Sequence, residues 1–302
     1  MAEHTSEKTA RFVFLLLTLS TAFVAFYFIG YIFYTAYPIF VNQGLVNFIT
    51  GTKWSYSQGI YGIRIFIIGT LIITALSLII SLPVSIFTAI FLSEYASPKI
   101  ASLVRPFVEL LVGIPSVVYG ILGLYVFGNI LRDYIIPFFS SNFGYIFLFR
   151  SLSDGSGIGV LLASIVLAIM IMPTITTISE DSIRSVAREH REASYSLGAT
   201  QWETIRYVVL PAAFNGITAA IVLGIMRAMG ETMAVVMLLG NTPIIPGSLF
   251  DTGYAMTSKI LNDIGNYVSM DEPKSALFGI AAVLFAIEIV FVGISRKLGG
   301  KL

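Results

Sequence analysis

The chain has 302 residues, 56% of them hydrophobic and only 12% charged, with a formal net charge of +1 and no cysteine. A soluble domain carries about 25% charged residues, and here the mean hydropathy is +0.87, so the composition is that of an integral membrane protein. The near balance of charge excludes a strongly basic nucleic-acid binder, and the lack of cysteine excludes disulfides and thiolate metal sites.

Six apolar stretches are long enough to cross a hydrocarbon core of about 30 Å, which needs roughly 20 helical residues. The first, about Phe12 to Ala36, exceeds the roughly 7–15 apolar residues of a cleaved signal peptide and reads as a true span. The second runs from about Ile63 to Leu92, with a kink expected at Pro83. The third is about Phe107 to Leu131, the fourth Ile158 to Ile178, the fifth Pro211 to Leu239 and the sixth Ala276 to Ser295. The predicted fold class is an all-α polytopic membrane protein.

Basic residues set the expected orientation. With the N-terminus inside, Lys8, Arg11, Lys99, Arg105, Arg184, Arg188, Arg191, Arg206, Arg296, Lys297 and Lys301 fall on the inner side. The outer segments hold fewer, so both termini are expected in the cytoplasm. Trp54, Tyr56 and Tyr61 precede span two, where interfacial aromatics are common.

The inner segment 179–210 is richly charged, with Glu180, Asp181, Arg184, Arg188, Glu189 and Arg191 among others. Its apolar residues recur at roughly helical intervals. Such a segment is either a docking surface for a cytoplasmic partner or a solvated hairpin that joins two spans.

Arg227 and Glu231 lie inside the fifth stretch. A charge at bilayer depth costs at least about 2.5–3.5 kcal/mol, so it faces a partner or a polar cavity rather than lipid. The four-residue spacing predicts both side chains on one helix face. Two readings follow: the residues pair and lock span five, or the guanidinium meets an anion in transit while Glu231 holds it in place or tempers its grip.

Other residues are less specific. Pro115 and Ser116 after Gly113-Ile114 mark either a packing kink or a broken segment whose freed N–H groups line a path. Ser116 has a hydrogen bond to donate in either case. Met226, Met229, Met233 and Met237 recur at helical spacing and read as core or gate packing rather than a metal path. Glu109 reads as an interfacial carboxylate, and Glu288 lies inside span six without a specific role. His4 and His190 are far apart and suggest no metal site.

One motif separates the readings of the inner segment. The run Glu192-Ala193-Ser194-Tyr195-Ser196-Leu197-Gly198 leads, through Val208, to Leu210-Pro211. It resembles the coupling motif of ABC importer permeases: Glu-Ala-Ala, three residues, Gly, nine residues, an aliphatic residue, one residue, Leu-Pro. Ser194 stands in place of the second Ala. Small residues at 193 and 194 permit close approach, Gly198 permits a tight turn between two short helices, and Pro211 suits the start of a span. The stretches Leu92–Ala96, Glu109–Gly120 and Met226–Ala234 are similar to phosphate-specific importer permeases, and Thr232-Met233-Ala234 after Gly230-Glu231 looks more like their C-type than their A-type subunit. The likeness covers the chain from about residue 60 onward.

This resemblance implies a type I ABC importer permease fold. It divides the chain into an N-terminal cytoplasmic tail, 1–11, a permease domain, 12–295, that includes the coupling segment 179–210, and a C-terminal tail, 296–302. It implies ATP-driven import of inorganic phosphate by alternating access. Arg227, Glu231 and Ser116 are the pathway candidates; Glu192, Ala193, Ser194, Gly198, Leu210 and Pro211 are the coupling candidates. No catalytic residue and no metal ligand are expected. Because the chain has no Gly-x-x-x-x-Gly-Lys-Ser/Thr loop, no cofactor is expected on it, and ATP and Mg belong to a partner. The implied partners are a second related permease, two ATP-binding subunits, an extracytoplasmic phosphate-binding protein and membrane lipid, with no nucleic acid, in the plasma membrane of a prokaryote. Two other readings remain at this level: a permease for sulfate, molybdate or tungstate, and an ATP-independent secondary transporter or channel.

Overall fold

A computed structural model describes residues 2–150 and 155–299. Six of its helical stretches are long and apolar enough to cross a membrane: Thr9–Thr50, Arg64–Tyr95, Ser116–Phe143, Val160–Arg184, Gln201–Gly230 and Asp271–Ile294. The chain divides into two compact units, one built from the chain up to Ile63 with Asp263–Val283, the other from Arg64–Asn262 and the chain from Leu284 on.

The first unit begins with α1 (Ala2–Ile39), which passes through a π-helical turn at Phe40–Gly44 into α2 (Leu45–Thr50). A two-residue hairpin follows, β1 (Trp54–Ser55) against β2 (Ile60–Tyr61). Gln43 fixes it by donating to the Tyr61 carbonyl at 2.9 Å and accepting from the Tyr61 amide at 3.0 Å. Tyr56 stacks on Tyr267 at 3.7 Å and donates its hydroxyl to Asp263. Burial, and then that hydrogen bond, push the Tyr56 hydroxyl well above the usual phenol range.

The second unit is a helical bundle. In chain order it contains α3 (Arg64–Ile90), continued by a π-helical turn at Phe91–Tyr95, then α4 (Pro98–Gly113) and α5 (Ser116–Leu122). Two π-helical turns flank α6 (Gly128–Ile130) and lead into α7 (Ile136–Phe143). There follow α8 (Val160–Arg184), α9 (Arg188–Ser196), α10 (Gln201–Thr204), a π-helical turn at Ile205–Val209, α11 (Leu210–Gly230) and α12 (Met233–Leu238). The first half of α13 (Met256–Tyr267) and the last part of α14 (Asp271–Gly299) complete it.

Two elements carry the core. The face of α3 that carries Thr70, Thr74, Ser77, Ser81 and Ser85 is buried, and α3 packs along α8. Small residues allow membrane helices to approach closely, which replaces the hydrophobic drive lost in lipid. Most of these hydroxyls turn back on their own helix: Thr70 donates to the Phe66 carbonyl at 2.9 Å and Ser77 to the Thr74 carbonyl at 2.8 Å. Ser85 instead reaches the Met172 carbonyl of α8 at 3.2 Å. Lys259, also buried, lies 5.5 Å from the centroids of the Phe66 and Tyr254 rings, a cation–π arrangement.

Two expected spans are broken. The third was expected over about Phe107–Leu131 with either a kink or a break at Pro115, and it is a break: α4 ends at Gly113 and Ile114 is extended (φ −73°, ψ 126°) before Pro115. Proline disfavours helix in the residue before it and has no N–H to continue the ladder. The crossing stretch therefore starts at Ser116 and ends at Phe143. The fifth was expected over Pro211–Leu239, but it begins earlier, at Gln201, and α11 stops at Gly230. Pro211 lies in the first turn of α11, just after the π-helical turn, rather than at the start of the crossing. The helix through Pro83 is continuous from Arg64 to Ile90.

Candidate functional site

The break in span five carries the first group of candidates. Glu231 leaves the helix with φ −66° and ψ 129°, so Arg227 and Glu231 do not share one helical face as their spacing suggested. The Glu231 Oε1 accepts from the amides of Thr232 at 3.1 Å and Ala234 at 3.3 Å, at the start of α12. A carboxylate at a helix start satisfies amides that have no partner within the helix. The freed carbonyls are met as well: Thr232 donates its hydroxyl to Gly230 at 3.1 Å, and Thr257 donates its hydroxyl to Glu231 at 2.8 Å. Irregular backbone at membrane depth persists only where its polar groups find such partners.

Arg227 is thereby left alone. It forms no ion pair and no hydrogen bond among the described residues, and its Nε is buried without a partner. The locked pair that the sequence allowed does not form. The methionines are also separated by the break: Met229 is buried in α11, Met233 is exposed, and Met237 lies on α12.

The break in span three faces this region. Helices α5 and α12 pack together, and a Cβ on Gly120 would fall 2.6 Å from Met237 Sδ and 3.5 Å from the Ala234 Cα. A side chain at 120 would therefore have to push the Met237 thioether aside. Ser116 is the first residue of α5 and half-buried. The Tyr119 hydroxyl crosses back over the break to the Leu111 carbonyl of α4 at 2.8 Å. The two breaks are therefore brought together by the packing of α5 on α12, and Arg227 lies in the last turn of α11 before the second of them. Sequence reading did not single out Tyr119 or Thr257, because neither stands out by charge.

The second group of candidates forms an elbow. Helix α9 carries Glu192, Ala193 and Ser194, and ends at Ser196, with Leu197 as its C-cap. Gly198 follows with φ +84°. Its amide donates to Tyr195 at 2.9 Å, and the Ala199 amide donates to Ser194 at 3.3 Å. This is the double closure by which a left-handed residue ends a helix. Thr200 and Glu203 then cap α10 reciprocally, the Glu203 amide donating to the Thr200 hydroxyl at 3.3 Å and the Thr200 amide to the Glu203 carboxylate at 2.8 Å. Ser194 and Thr204 share a hydroxyl hydrogen bond of 2.9 Å between the two helices. Leu197, at the turn, is 90% exposed, and Tyr195 and Trp202 are exposed beside it.

Beneath the elbow lies a small apolar cluster of Ala89, Ile90, Ile183, Ile205, Val209 and Ala213, from the ends of α3 and α8 and the start of span five. Leu210 packs against this cluster and Pro211 is exposed. Ion pairs surround it: Arg105 of α4 donates through Nε to Glu180 of α8 at 2.6 Å, with Arg184 at 3.9 Å, and Arg191 of α9 meets Glu94 at 2.6 Å. Glu109 is exposed on α4, and Glu288 is half-buried on α14.

Residues 81–299 match the family described as the binding-protein-dependent transport system inner membrane component. The chain belongs to this family. It is 39% identical to the probable ABC transporter permease protein YqgH of Bacillus subtilis (strain 168) over 258 residues, which cover 85% of this chain and 78% of that protein. It is likewise 39% identical to the phosphate transport system permease protein PstC of Pasteurella multocida (strain Pm70) over 254 residues, covering 83% and 79%. Among solved structures, a chain of the inward-facing MetNI methionine ABC transporter superposes with a TM-score of 0.51 at 17% identity, covering 82% of this chain and 99% of that one. That likeness bears on the fold, which is the all-α permease fold expected from the sequence. As a family member the chain is a multi-pass membrane transport component that acts with a binding protein, and it is not itself an enzyme.

Proposed function

We propose that this chain is the transmembrane subunit of an ATP-driven importer that moves inorganic phosphate into the cell by alternating access. The observation that carries the reading is the unpaired Arg227 in the last helical turn before the break in span five, in a chain 39% identical to a phosphate permease. A phosphate anion leaves water only where positive charge and donors replace its hydration, and a guanidinium offers five N–H donors. Glu231 is engaged by backbone amides, so Arg227 keeps its full charge for the passing anion. Ser116, at the other break, supplies a hydroxyl along the same route.

The elbow is the docking element for an ATP-binding subunit. Its exposed apolar tip, Leu197 with Tyr195 and Trp202, suits burial against a partner. Small Ala193 and Ser194 and the Gly198 turn let the partner approach, while Leu210 and Pro211 lead into span five. In this reading both termini are cytoplasmic, the membrane is a prokaryotic plasma membrane, and residues 1–11 and 296–302 are tails of the permease domain 12–295. ATP and Mg are bound by two ATP-binding subunits, a second related permease completes the pathway, and an extracytoplasmic binding protein delivers phosphate.

The test is phosphate uptake in proteoliposomes that contain all the subunits. Wild type takes up phosphate with ATP and is competed by phosphate but not by sulfate or molybdate. Arg227→Ala lowers uptake at least about tenfold, the cost of an unmet anion being well above 1.4 kcal/mol. Uptake by Arg227→Ala at the wild-type rate would falsify the role given to this residue, and uptake without ATP would remove the importer reading.

A further inference from the structure

One guanidinium ties the elbow to two spans of the bundle at once. Arg191 of α9 donates through Nη2 to Glu94 Oε1 at 2.6 Å and through Nε to Glu94 Oε2 at 3.4 Å. The same guanidinium donates to the carbonyls of Ile183, at 2.9 Å, and Val186, at the end of α8. Ile183 lies in the last turn of α8 and Val186 two residues past its end, the end of a helix at which a cation is favoured. Glu94 lies in the π-helical turn that continues α3, and its backbone carbonyl accepts from Gln201 of α10 at 2.9 Å. One turn at the end of span two is therefore held by both arms of the elbow, and the end of span four is held by the same arginine.

The pair is well shielded, with side-chain exposures of 16% for Arg191 and 8% for Glu94. Surface pairs contribute little, but a shielded, two-pronged arginine–carboxylate contact is geometrically rigid. Lysine has neither the fork nor the reach to hold two carbonyls and a carboxylate at once. The elbow's other ties are the single Gln201 bond to the Glu94 backbone, which reaches span two alone, the Ser194 to Thr204 bond within it and the apolar cluster below it.

We infer that Arg191 is the positioning residue that transmits movement of the elbow to spans two and four together, through Glu94 on one side and the Ile183 and Val186 carbonyls on the other. The inference rests on the reading of the elbow as the docking element for an ATP-binding subunit. A push on the elbow without this strut moves α9 over the bundle end, and the two spans lose their common displacement.

The test uses the full complex in proteoliposomes, measuring phosphate taken up per ATP hydrolysed. A wild-type complex that assembles and transports phosphate secures the underlying reading before any variant is compared. Arg191→Ala and Glu94→Gln are then expected to keep the ATP-binding subunit bound and ATP hydrolysis within about twofold, while uptake per ATP falls at least about fivefold, the lower end of typical coupling between sites. Because the chain has no cysteine, the pair Arg191→Cys with Glu94→Cys can be bridged by a short bis-maleimide. Uptake per ATP is expected to be low before bridging and to recover at least about threefold after it. Unchanged uptake per ATP in Arg191→Ala overturns the inference. So does loss of the ATP-binding subunit from the variants, which makes the residue part of the docking surface, and so does a bridged pair that assembles and hydrolyses ATP but does not recover.

Discussion

Glu231 and Ala234 are joined across the break in span five, the carboxylate accepting from the amide at 3.3 Å. The charge that one of the two sequence readings paired with Arg227 instead holds the first amides of α12. Glutamine keeps an acceptor oxygen in the same place and alanine does not. Glu231→Gln is therefore expected to stay within about 0.5 kcal/mol of wild type, whereas Glu231→Ala loses about 1 kcal/mol, the usual cost of an N-cap deletion. Thermal unfolding of the detergent-solubilised complex reads the difference. Equal losses for both variants would mean that the carboxylate charge, not its acceptor geometry, holds the break.

Tyr119 does the same service at the other break, giving its hydroxyl to Leu111 at 2.8 Å. Tyr119→Phe leaves that carbonyl without its donor and is expected to cost about 1–3 kcal/mol. If unfolding midpoints of Tyr119→Phe and wild type coincide, water replaces the hydroxyl and the site is wetter than its burial suggests.

Gly120 sets how closely α5 and α12 approach. A Cβ there would lie 2.6 Å from Met237 Sδ, and Gly120→Val is expected to destabilise by about 1–3 kcal/mol through overpacking. Trimming the facing side chain, in Gly120→Val with Met237→Ala, should recover part of the loss. A double-mutant cycle measures this recovery, and strict additivity would show that the two positions do not touch.

At the elbow, fold and docking can be separated. Gly198→Ala meets no neighbour within 4 Å, but its φ of +84° is strained for a side chain, so a local cost of about 1–2 kcal/mol is expected. Leu197 is 90% exposed, and Leu197→Asp should leave the subunit's own stability within about 0.5 kcal/mol. It should nevertheless weaken capture of the ATP-binding subunit at least about tenfold, as loss of an apolar anchor does. Pull-down titrations against unfolding curves distinguish the two effects. Full binding by Leu197→Asp would place the docking contact elsewhere.

Hydropathy made the six crossings legible, because apolar length is a local property of the chain. The elbow was legible for a similar reason: its glycine, its small residues and its Leu-Pro stand at fixed spacing. The two breaks were less so. Gly113-Ile114-Pro115 carried a proline signal that left kink and break undecided, and Gly230-Glu231-Thr232 carried almost none. The helix ends there because the Glu231 carboxylate and the Thr257 hydroxyl satisfy the freed backbone, and Thr257 is 26 residues away along the chain. The same limit hid Arg191 and Glu94, which are 97 residues apart. Spacing rules see neighbours on one helix; they do not see partners brought together by packing.

The hydroxyl-lined seam between α3 and α8 has a mechanical consequence. Ser77 bonds to its own helix, so sliding α3 past α8 leaves that bond intact, while Thr70 also accepts from the Met256 amide of α13 at 2.9 Å. Ser85 is fastened to the opposite backbone at Met172, near the end of α3 where Ala89 and Ile90 join the cluster under the elbow. The seam therefore behaves like a strap fastened near both ends: it resists shear at Ser85 and yields more readily around Ser77.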